Sequence, residues 1–230
     1  MGIKSEKALR HIIWDWNGTL LDDVGIVVES MNTLMTKRGM PLLDREQYKE
    51  FFVFPVKDYY ARLGFDFSRE PFEELAVEYI TEFNSEKYGF RLHGGVTQTL
   101  GYIRSMGIGQ SVLSATKEQD LNEILLRLEI RDFFEKVAGL DNHYAAGKVG
   151  RGRELMADLG LDPQDVLMIG DTIHDYEVSR ELGCRCLLVS NGHQSHARLL
   201  ECNVDIVDDV KGVAEYLKKL QGPLVSRSHI

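Results

Sequence analysis

The sequence has few cysteines, no long apolar run and no excess of positive charge, and each shortage excludes a class of protein. Three cysteines in 230 residues cannot build a disulfide framework, so a reducing compartment is expected. No apolar run approaches the roughly 20 residues that cross a bilayer, and the charged N-terminus "MGIKSEKALR" lacks the apolar stretch of a signal peptide. We therefore expect a cytoplasmic protein that does not enter a membrane.

The net charge is −9, so the average field of the protein would repel a polyanion, and no nucleic-acid partner is expected. Hydrophobic residues make up 43% of the chain and charged residues 27%, a balance typical of globular domains. A chain of 230 residues is long enough for one large domain, or for one domain that carries a smaller insert. A monomer is the default expectation.

Short apolar runs that end in polar or glycine residues predict a doubly wound α/β domain. Continuous apolar runs without strict alternation are typical of strands in a parallel sheet that helices cover on both faces. Helical patterns fill the gaps, one after a possible capping box formed by Thr116 and Gln119, and two that end at Gly160 and Gly183. The expected strands are 11–15, 109–114, 137–141, 165–171 and 184–192.

The segment from residue 23 to about residue 90 has a helical pattern, unlike the alternation of strands and helices in the rest of the chain. It contains two helical stripes of apolar residues, over 24–35 and 72–83, and three of the five prolines but no convincing strand. We therefore predict a helical cap domain (23–90) inserted into an α/β core domain (1–22 and 91–230). The return linker, which leads from the cap back to the core, would be "LHGGV", and its glycines would permit a hinge motion.

Ligands of open α/β sheets bind beyond the carboxyl ends of the strands, and an acidic and cationic set of residues is expected there. Asp15 follows the first strand, Ser114 the second, and Asp171 a later strand, with Asp175 one helical turn on and Lys148 before a helix. Magnesium-assisted phosphoryl transfer uses this set of groups: carboxylates that hold a hard divalent ion, one hydroxyl and one lysine.

Four motifs, in order, resemble those of the haloacid dehalogenase superfamily, in its phosphatase branch with a helical cap of the first type. They are "DWNGT" (15–19), "SVLSAT" (111–116), the lysine of "AAGKVG" and "GDTIHD" (170–175). The stretches "LEIRDFFEKVAGLD" and "LVSNGHQS" are similar to those of phosphoglycolate-phosphatase-like members. The resemblance implies a Rossmann-like core with an inserted cap, and a hydrolase that acts on a small phosphorylated metabolite.

The resemblance also implies a role for each matching residue. Asp15 would be the nucleophile that forms an aspartyl-phosphate. Magnesium would be held by the side chains of Asp15 and Asp171, by the backbone carbonyl of Asn17, and by Asp175 directly or through water. The phosphoryl group would contact the backbone at Trp16 and Asn17, which follow Asp15, and at Ala115, which follows Ser114. It would also contact the side chains of Ser114 and Lys148. Trp16 is expected to line the pocket with its ring as well.

Asn17 departs from the family pattern, which has an aspartate here that serves as general acid and then as general base. An amide cannot exchange a proton at neutral pH, and general acid–base catalysis is typically worth about 10²–10⁴-fold. The expected site therefore binds magnesium and phosphate but lacks the usual proton shuttle.

Three explanations of Asn17 stay open at this point. The protein could be a phosphatase that is slow on alkyl phosphates, or one suited to good leaving groups such as acyl phosphates and pyrophosphates. A histidine could move the proton instead, either His174 or His143. The chain could also be a catalytically impaired binder or regulator of phosphorylated ligands. Dehalogenase chemistry is less favoured, because Thr19 together with Asp171 and Asp175 indicates a metal. A zinc site at His193 and His196 is not favoured either, because both lie in an expected loop.

Overall fold

The fold was obtained as a computed structural model, which describes residues 8–86, 89–140 and 147–220. Within these residues there are six strands: β1 (His11–Trp14), β2 (Gly109–Lys117), β3 (Lys136–Leu140), β4 (Val166–Gly170), β5 (Arg185–Val189) and β6 (Asp205–Val207). They form one parallel sheet with the order β3-β2-β1-β4-β5-β6. The chain order reverses between β1 and β4, so their carboxyl ends flank the crevice in which such sheets bind ligands.

The same residues contain ten α-helices. They are α1 (Val24–Lys37), α2 (Arg45–Phe51), α3 (Val56–Leu63), α4 (Phe72–Ser85), α5 (Val96–Ser105), α6 (Glu118–Arg127), α7 (Lys148–Leu159), α8 (Ile173–Leu182), α9 (His196–Leu199) and α10 (Val210–Leu220). None of the helices in these ranges is both long enough and apolar enough to cross a membrane.

Apolar residues cover both faces of the sheet, which confirms the predicted doubly wound class. On β1, Ile12 and Trp14 face α5, α6 and α10, whereas Ile13 faces α7 and α8. Such strands are buried on both sides, which explains why their sequences are continuously apolar instead of alternating.

Helices α1 to α4 pack around a separate apolar cluster, which includes Met31, Leu34, Tyr60 and Leu75. The chain entering and the chain leaving these helices run side by side, because Asp22 N donates to Arg91 O at 2.9 Å and His93 N donates to Leu20 O at 3.0 Å. This arrangement favours the inserted cap, although the boundaries 1–22, 23–90 and 91–230, and the hinge at the return linker, stay predictions.

Two local expectations were wrong or incomplete. The proposed capping box of Thr116 and Gln119 does not form, because β2 continues to Lys117 and that residue precedes α6 without a side-chain cap. The strand β6 was not predicted, because three residues at a sheet edge are too short to show a pattern. By contrast, α7 and α8 do end at Gly160 and Gly183, each in the left-handed conformation.

Candidate active site

Three carboxylates meet at the carboxyl ends of β1 and β4. One oxygen from each of Asp15, Asp171 and Asp175 lies within 4.8 Å of the others, and all three residues are buried. The backbone N–H of Asp15 donates to Ile169 O at 2.8 Å, which fixes the nucleophile candidate to the neighbouring strand. Asp175 is held in the first turn of α8 by Thr172, whose hydroxyl donates to its Oδ2 at 2.7 Å. The structure thus brings together the predicted carboxylates.

Lys148, the first residue of α7, joins two of these carboxylates. Its ammonium donates to Asp15 Oδ1 and, at 2.6 Å, to Asp175 Oδ1. Burial raises the pKa of Asp15 to about 8, opposed by Lys148 and reinforced by Asp175 and Asp171. Burial works against the ammonium of Lys148, but Asp15 and Asp175 outweigh it and raise the pKa of Lys148. Burial also raises the pKa of Asp171.

This charge distribution fits a divalent cation. Three buried carboxylates face one lysine, and the other nearby cation, His193, lies 3.3 Å from a fourth buried carboxylate, Asp23, so a further positive charge is needed to keep all of them ionised. The donor atoms are all oxygens, which are the ligands that hard ions such as Mg²⁺ prefer. The residues present are therefore able to hold the predicted ion, with Asp15, Asp171 and Asp175 as the side-chain candidates and the Asn17 carbonyl as the backbone candidate.

Thr19 and two glycines shape the surroundings of Asp171. Thr19 Oγ1 lies 2.6 Å from Asp171 Oδ1 and 3.1 Å from Asp15 Oδ2, so its single proton can serve either carboxylate. A Cβ atom at Gly18 would come within 2.4 Å of Asp171 Oδ2, and one at Gly192 within 2.1 Å of the same atom. Gly18 also has a φ of +74°. Both positions therefore exclude larger residues.

The side chain of Asn17 is held at both ends. Its Nδ2 donates to Asp23 Oδ2 at 2.7 Å, and its Oδ1 accepts from Thr116 Oγ1 at 2.9 Å. Asp23, which is fully buried, also accepts from the backbone N–H of Gly18 at 2.8 Å. The amide is thus fixed by a neighbouring carboxylate that requires a hydrogen-bond donor at position 17.

The sequence analysis missed a chain of polar groups behind Asn17. His193 Nε2 lies 3.3 Å from Asp23 Oδ1, and His193 Nδ1 lies 2.8 Å from the hydroxyl of Tyr48 in α2. The backbone N–H of His193 donates to Asp171 Oδ2 at 2.6 Å. Burial alone would lower the pKa of His193, but Asp23 above all, with Asp171 and Asp15, raises it to about 9. His196 begins α9, and neither histidine belongs to a cluster of three or more metal ligands among the described residues.

The remaining predicted residues line one cavity above the carboxylates. Ser114 is buried and accepts from Thr116 N at 3.0 Å. The ladder between β2 and β3 shifts register between Leu113 and Lys117, which takes the end of β2 out of regular pairing beside the site. The cavity has a volume of about 320 Å³ and includes Asp15, Trp16, Asn17, Ser114, Ala115, Lys148 and Asp175 in its wall.

Of the two alternative proton carriers, His174 lies in the wall of the cavity and stacks on Phe54, with ring centroids 4.6 Å apart. Its Nδ1 lies 3.3 Å from Glu177 Oε2. His143 lies outside the described residues. His193 lies 3.3 Å from Asp23, 170 positions away, and no signal in the sequence links the two residues.

Removing the buried ammonium of Lys148 should destabilise the metal-free protein. Lys148→Met leaves Asp15 and Asp175 without their ion-pair partner, and breaking a buried pair in this way typically costs about 3–5 kcal/mol. We expect a loss of that size in the free energy of unfolding, measured by urea denaturation in the presence of a chelator.

The matched control is Lys136→Met, which removes a surface ion pair to Asp158 at 3.4 Å, with both side chains about half exposed. This change should cost less than about 1 kcal/mol. Equal losses in the two variants would mean that Lys148 does not hold the carboxylates together.

Comparison with known proteins agrees with this geometry. A family model described as haloacid dehalogenase-like hydrolase matches residues 12–189. The chain is 26% identical to a phosphoglycolate phosphatase of Nitrosococcus oceani over 213 residues, covering 88% of this chain and 93% of that protein. It is 23% identical to an N-acetylmuramic acid 6-phosphate phosphatase of Pseudomonas aeruginosa over 189 residues, covering 80% of this chain and 83% of that protein.

A solved structure of a haloacid dehalogenase-like family hydrolase from Streptococcus pneumoniae has the same fold. It superposes with a TM-score of 0.78 at 22% identity, covering 90% of this chain and 98% of that chain. The two curated relatives carry different substrate names, so a shared fold and a shared motif set leave the leaving group open.

Proposed function

This chain belongs to the haloacid dehalogenase-like hydrolases, and we propose that it is a magnesium-dependent phosphatase that acts on a small phosphorylated metabolite through an aspartyl-phosphate. The observation that carries the proposal is the buried cluster in which Lys148 bridges Asp15 and Asp175, with Asp171 beside them, at the base of a cavity. Asp15 and Asp175 both contact Lys148 and line the cavity, and Asp15 is the more exposed of the two, at 8% against 2%.

Asp15 attacks the phosphorus, and the leaving group departs with the electron pair of the broken P–O bond. Lys148 neutralises charge on the phosphoryl oxygens, and Ser114 with the backbone N–H groups of Trp16 and Ala115 orients them. Magnesium, when bound by Asp15, Asp171, Asp175 and the Asn17 carbonyl, offsets the repulsion between the carboxylate and the phosphate dianion. Water then attacks the aspartyl-phosphate and regenerates Asp15.

The amide at position 17 limits which substrates this site can serve. It can donate a hydrogen bond to a departing oxygen, but it cannot protonate that oxygen. The enzyme is therefore slow on alkyl phosphates and suited to esters or anhydrides whose leaving groups need little protonation. Because Asn17 is pinned by Asp23 and Thr116, a second candidate function also has support: a binder or regulator that retains a phosphorylated ligand without turnover.

A metal-dependence experiment tests the phosphatase. Purified protein with Mg²⁺ is expected to release inorganic phosphate from acetyl phosphate well above the uncatalysed rate, and excess chelator should abolish the release. Addition of Mg²⁺ alone should also raise the melting temperature, because the ion binds only the folded cluster of carboxylates.

Two results would contradict a magnesium-dependent phosphatase. Release that is unaffected by the chelator would exclude a role for the metal. Magnesium-dependent binding of phosphate without turnover, both in the natural chain and in Asn17→Asp, would favour the binder. The cytoplasmic location, the monomeric state and the absence of a nucleic-acid partner stay predictions.

A further inference from the structure

The wall of the cavity opposite Asp15 is built largely from aromatic rings. Helices α2 to α4 and the turn between α2 and α3 contribute six of them: Tyr48, Phe52, Phe54, Tyr59, Tyr79 and Phe83. Phe52 lies edge-on to Tyr59 with ring centroids 5.4 Å apart, and Tyr79 stacks on Phe83 at 6.0 Å. Rings that support one another in this way form a fixed apolar surface, which suits a flat apolar ligand.

Ionised groups are scarce on that side of the cavity. Among the described residues, no charged side chain from residues 24–86 lines it. Beside the site cluster, the wall contains Lys117 and, three positions on, Asp120, which have opposite signs. It also contains His193, which lies 3.3 Å from Asp23. A leaving group with its own carboxylate or second phosphate would have to give up its hydration against the rings, and each cation in this part of the wall is accompanied by a carboxylate, so the transfer is costly.

Two residues of the wall carry a buried polar atom without a partner in the described part of the chain. Trp16 and Tyr59 are almost fully buried, and both line the cavity. The indole Nε1 of Trp16 and the hydroxyl of Tyr59 have no hydrogen-bond partner among the described residues. Buried donors are normally paired, but both atoms are themselves buried, so neither offers a hydrogen bond to a leaving group in the cavity.

The chemistry of Asn17 selects the same kind of leaving group. A phenol has a pKa near that of tyrosine, about 10, whereas an aliphatic alcohol is closer to water, at about 16. A phenolate therefore departs with little help from an acid, which an amide held by Asp23 and Thr116 does not supply.

We propose that the substrates are aryl phosphates, meaning phosphate monoesters of a small phenol that carries no further charge. This inference rests on the proposed phosphatase function and names its substrate class. A cavity of about 320 Å³ is at the small end of ligand sites, which fits one ring together with the phosphate.

The reaction balances without a further reactant. A carboxylate oxygen of Asp15 forms a bond to phosphorus while the P–O bond to the ring breaks, and the electron pair leaves on the phenolate. Water then adds to phosphorus and the bond to Asp15 breaks. Of the two water protons, one stays on the phosphate and the other reaches the phenolate, so the products are a phenol and hydrogen phosphate.

Four phosphates separate the two requirements, which are an apolar ring and a good leaving group. Phenyl phosphate has both, cyclohexyl phosphate has only the apolar ring, acetyl phosphate has only the good leaving group, and 2-phosphoglycolate has neither. With Mg²⁺ present, we expect kcat/KM for phenyl phosphate to exceed the values for cyclohexyl and acetyl phosphate at least tenfold, and that for 2-phosphoglycolate at least a hundredfold.

The outcomes of this panel are distinguishable. Hydrolysis of acetyl phosphate or 2-phosphoglycolate at least as fast as that of phenyl phosphate would overturn the aryl inference and leave the phosphatase standing. No release from any of the four would contradict the phosphatase, and with it the inference.

A cation placed in the aromatic wall should weaken the preference for phenyl phosphate over 2-phosphoglycolate. Ile80→Arg introduces a guanidinium at a lining position of α4, and Val77→Arg makes the same change one turn earlier on the same helix, at a side chain that is 60% exposed. We expect the ratio of kcat/KM for 2-phosphoglycolate to that for phenyl phosphate to rise at least thirtyfold in Ile80→Arg and by less than threefold in Val77→Arg.

Phe54→Arg provides a second test should Ile80→Arg fail to fold, because Phe54 lines the cavity while 38% of it is exposed. The same direction of change is expected. Unchanged ratios in a folded lining variant would overturn the placement of the leaving group against this wall.

Discussion

Asp15→Asn is expected to lower the rate of phosphate release by at least about 10³-fold, because an amide does not act as the nucleophile and losses on removal of a nucleophile reach this size and beyond. The replacement has nearly the same shape, and Lys148 keeps its hydrogen bond to Asp175. The rate is measured with acetyl phosphate and phenyl phosphate in the presence of Mg²⁺.

The loss should not come from unfolding. Burial raises the pKa of Asp15 to about 8 in the metal-free protein. A carboxyl with a raised pKa contributes stability at acid pH that is lost as the pH rises from about 4 to about 8. The asparagine does not titrate, so the metal-free variant should be at least as stable as the natural chain at pH 8. Thermal melts of both proteins with chelator at pH 6 and pH 8 check this sign.

Asp22→Asn is the matched control for this loss. The same change is made in the same loop, on a side chain that is about half exposed and lies outside the cluster of carboxylates. It should keep phosphate release within about twofold. Substantial turnover by Asp15→Asn, or an equal loss in Asp22→Asn, would mean that the reacting carboxylate is not Asp15.

Much of the fold could be predicted from sequence because its strands are buried on both faces. Continuous apolar runs such as 166–170 are uncommon outside parallel sheets, and glycines after helices, as at Gly160 and Gly183, mark their ends directly. The candidate residues followed from the same logic, since Asp15 and Asp171 directly follow strands and Ser114 lies where β2 leaves its regular pairing with β3, all at one edge of the sheet.

The pairings between side chains could not be predicted in this way. Asp23 lies at the start of α1 and His193 in a loop 170 positions later, while Tyr48 belongs to α2. Their contacts depend on how the helices after β1 sit on the loop after β5, which no local pattern encodes. For the same reason, Asn17 could be recognised as a missing acid, whereas no pattern in the sequence indicates that Asp23 holds the amide.

Asn17→Asp is expected to raise kcat on cyclohexyl phosphate by at least about tenfold, because a carboxyl group can protonate a poor leaving group and then activate water. The gain on phenyl phosphate should be under threefold, since a phenolate needs little protonation. Steady-state rates on the two substrates, both apolar rings of similar size, separate an effect on proton transfer from an effect on binding.

The partner of Asn17 limits that gain. A carboxylate at position 17 would face Asp23 Oδ2, which now accepts from Asn17 Nδ2 at 2.7 Å, and two carboxylates at this distance cannot both ionise. The exchange variant Asn17→Asp/Asp23→Asn restores one donor and one acceptor across the same contact. We therefore expect its rate on cyclohexyl phosphate to exceed that of the single variant, with Asp23→Asn alone showing no gain.

The exchange also decides between the two candidate functions. If it raises turnover of cyclohexyl phosphate above that of the natural chain, the site is a working phosphatase whose range of leaving groups is restricted by the amide at position 17. If it leaves turnover unchanged while Mg²⁺ and phosphate still bind, proton transfer is not the limiting step, and the explanation of Asn17 by leaving-group selection is wrong. The Asn17–Asp23 contact would then be understood as part of the packing between the first loop and His193, which holds Asp171 through its backbone N–H at 2.6 Å.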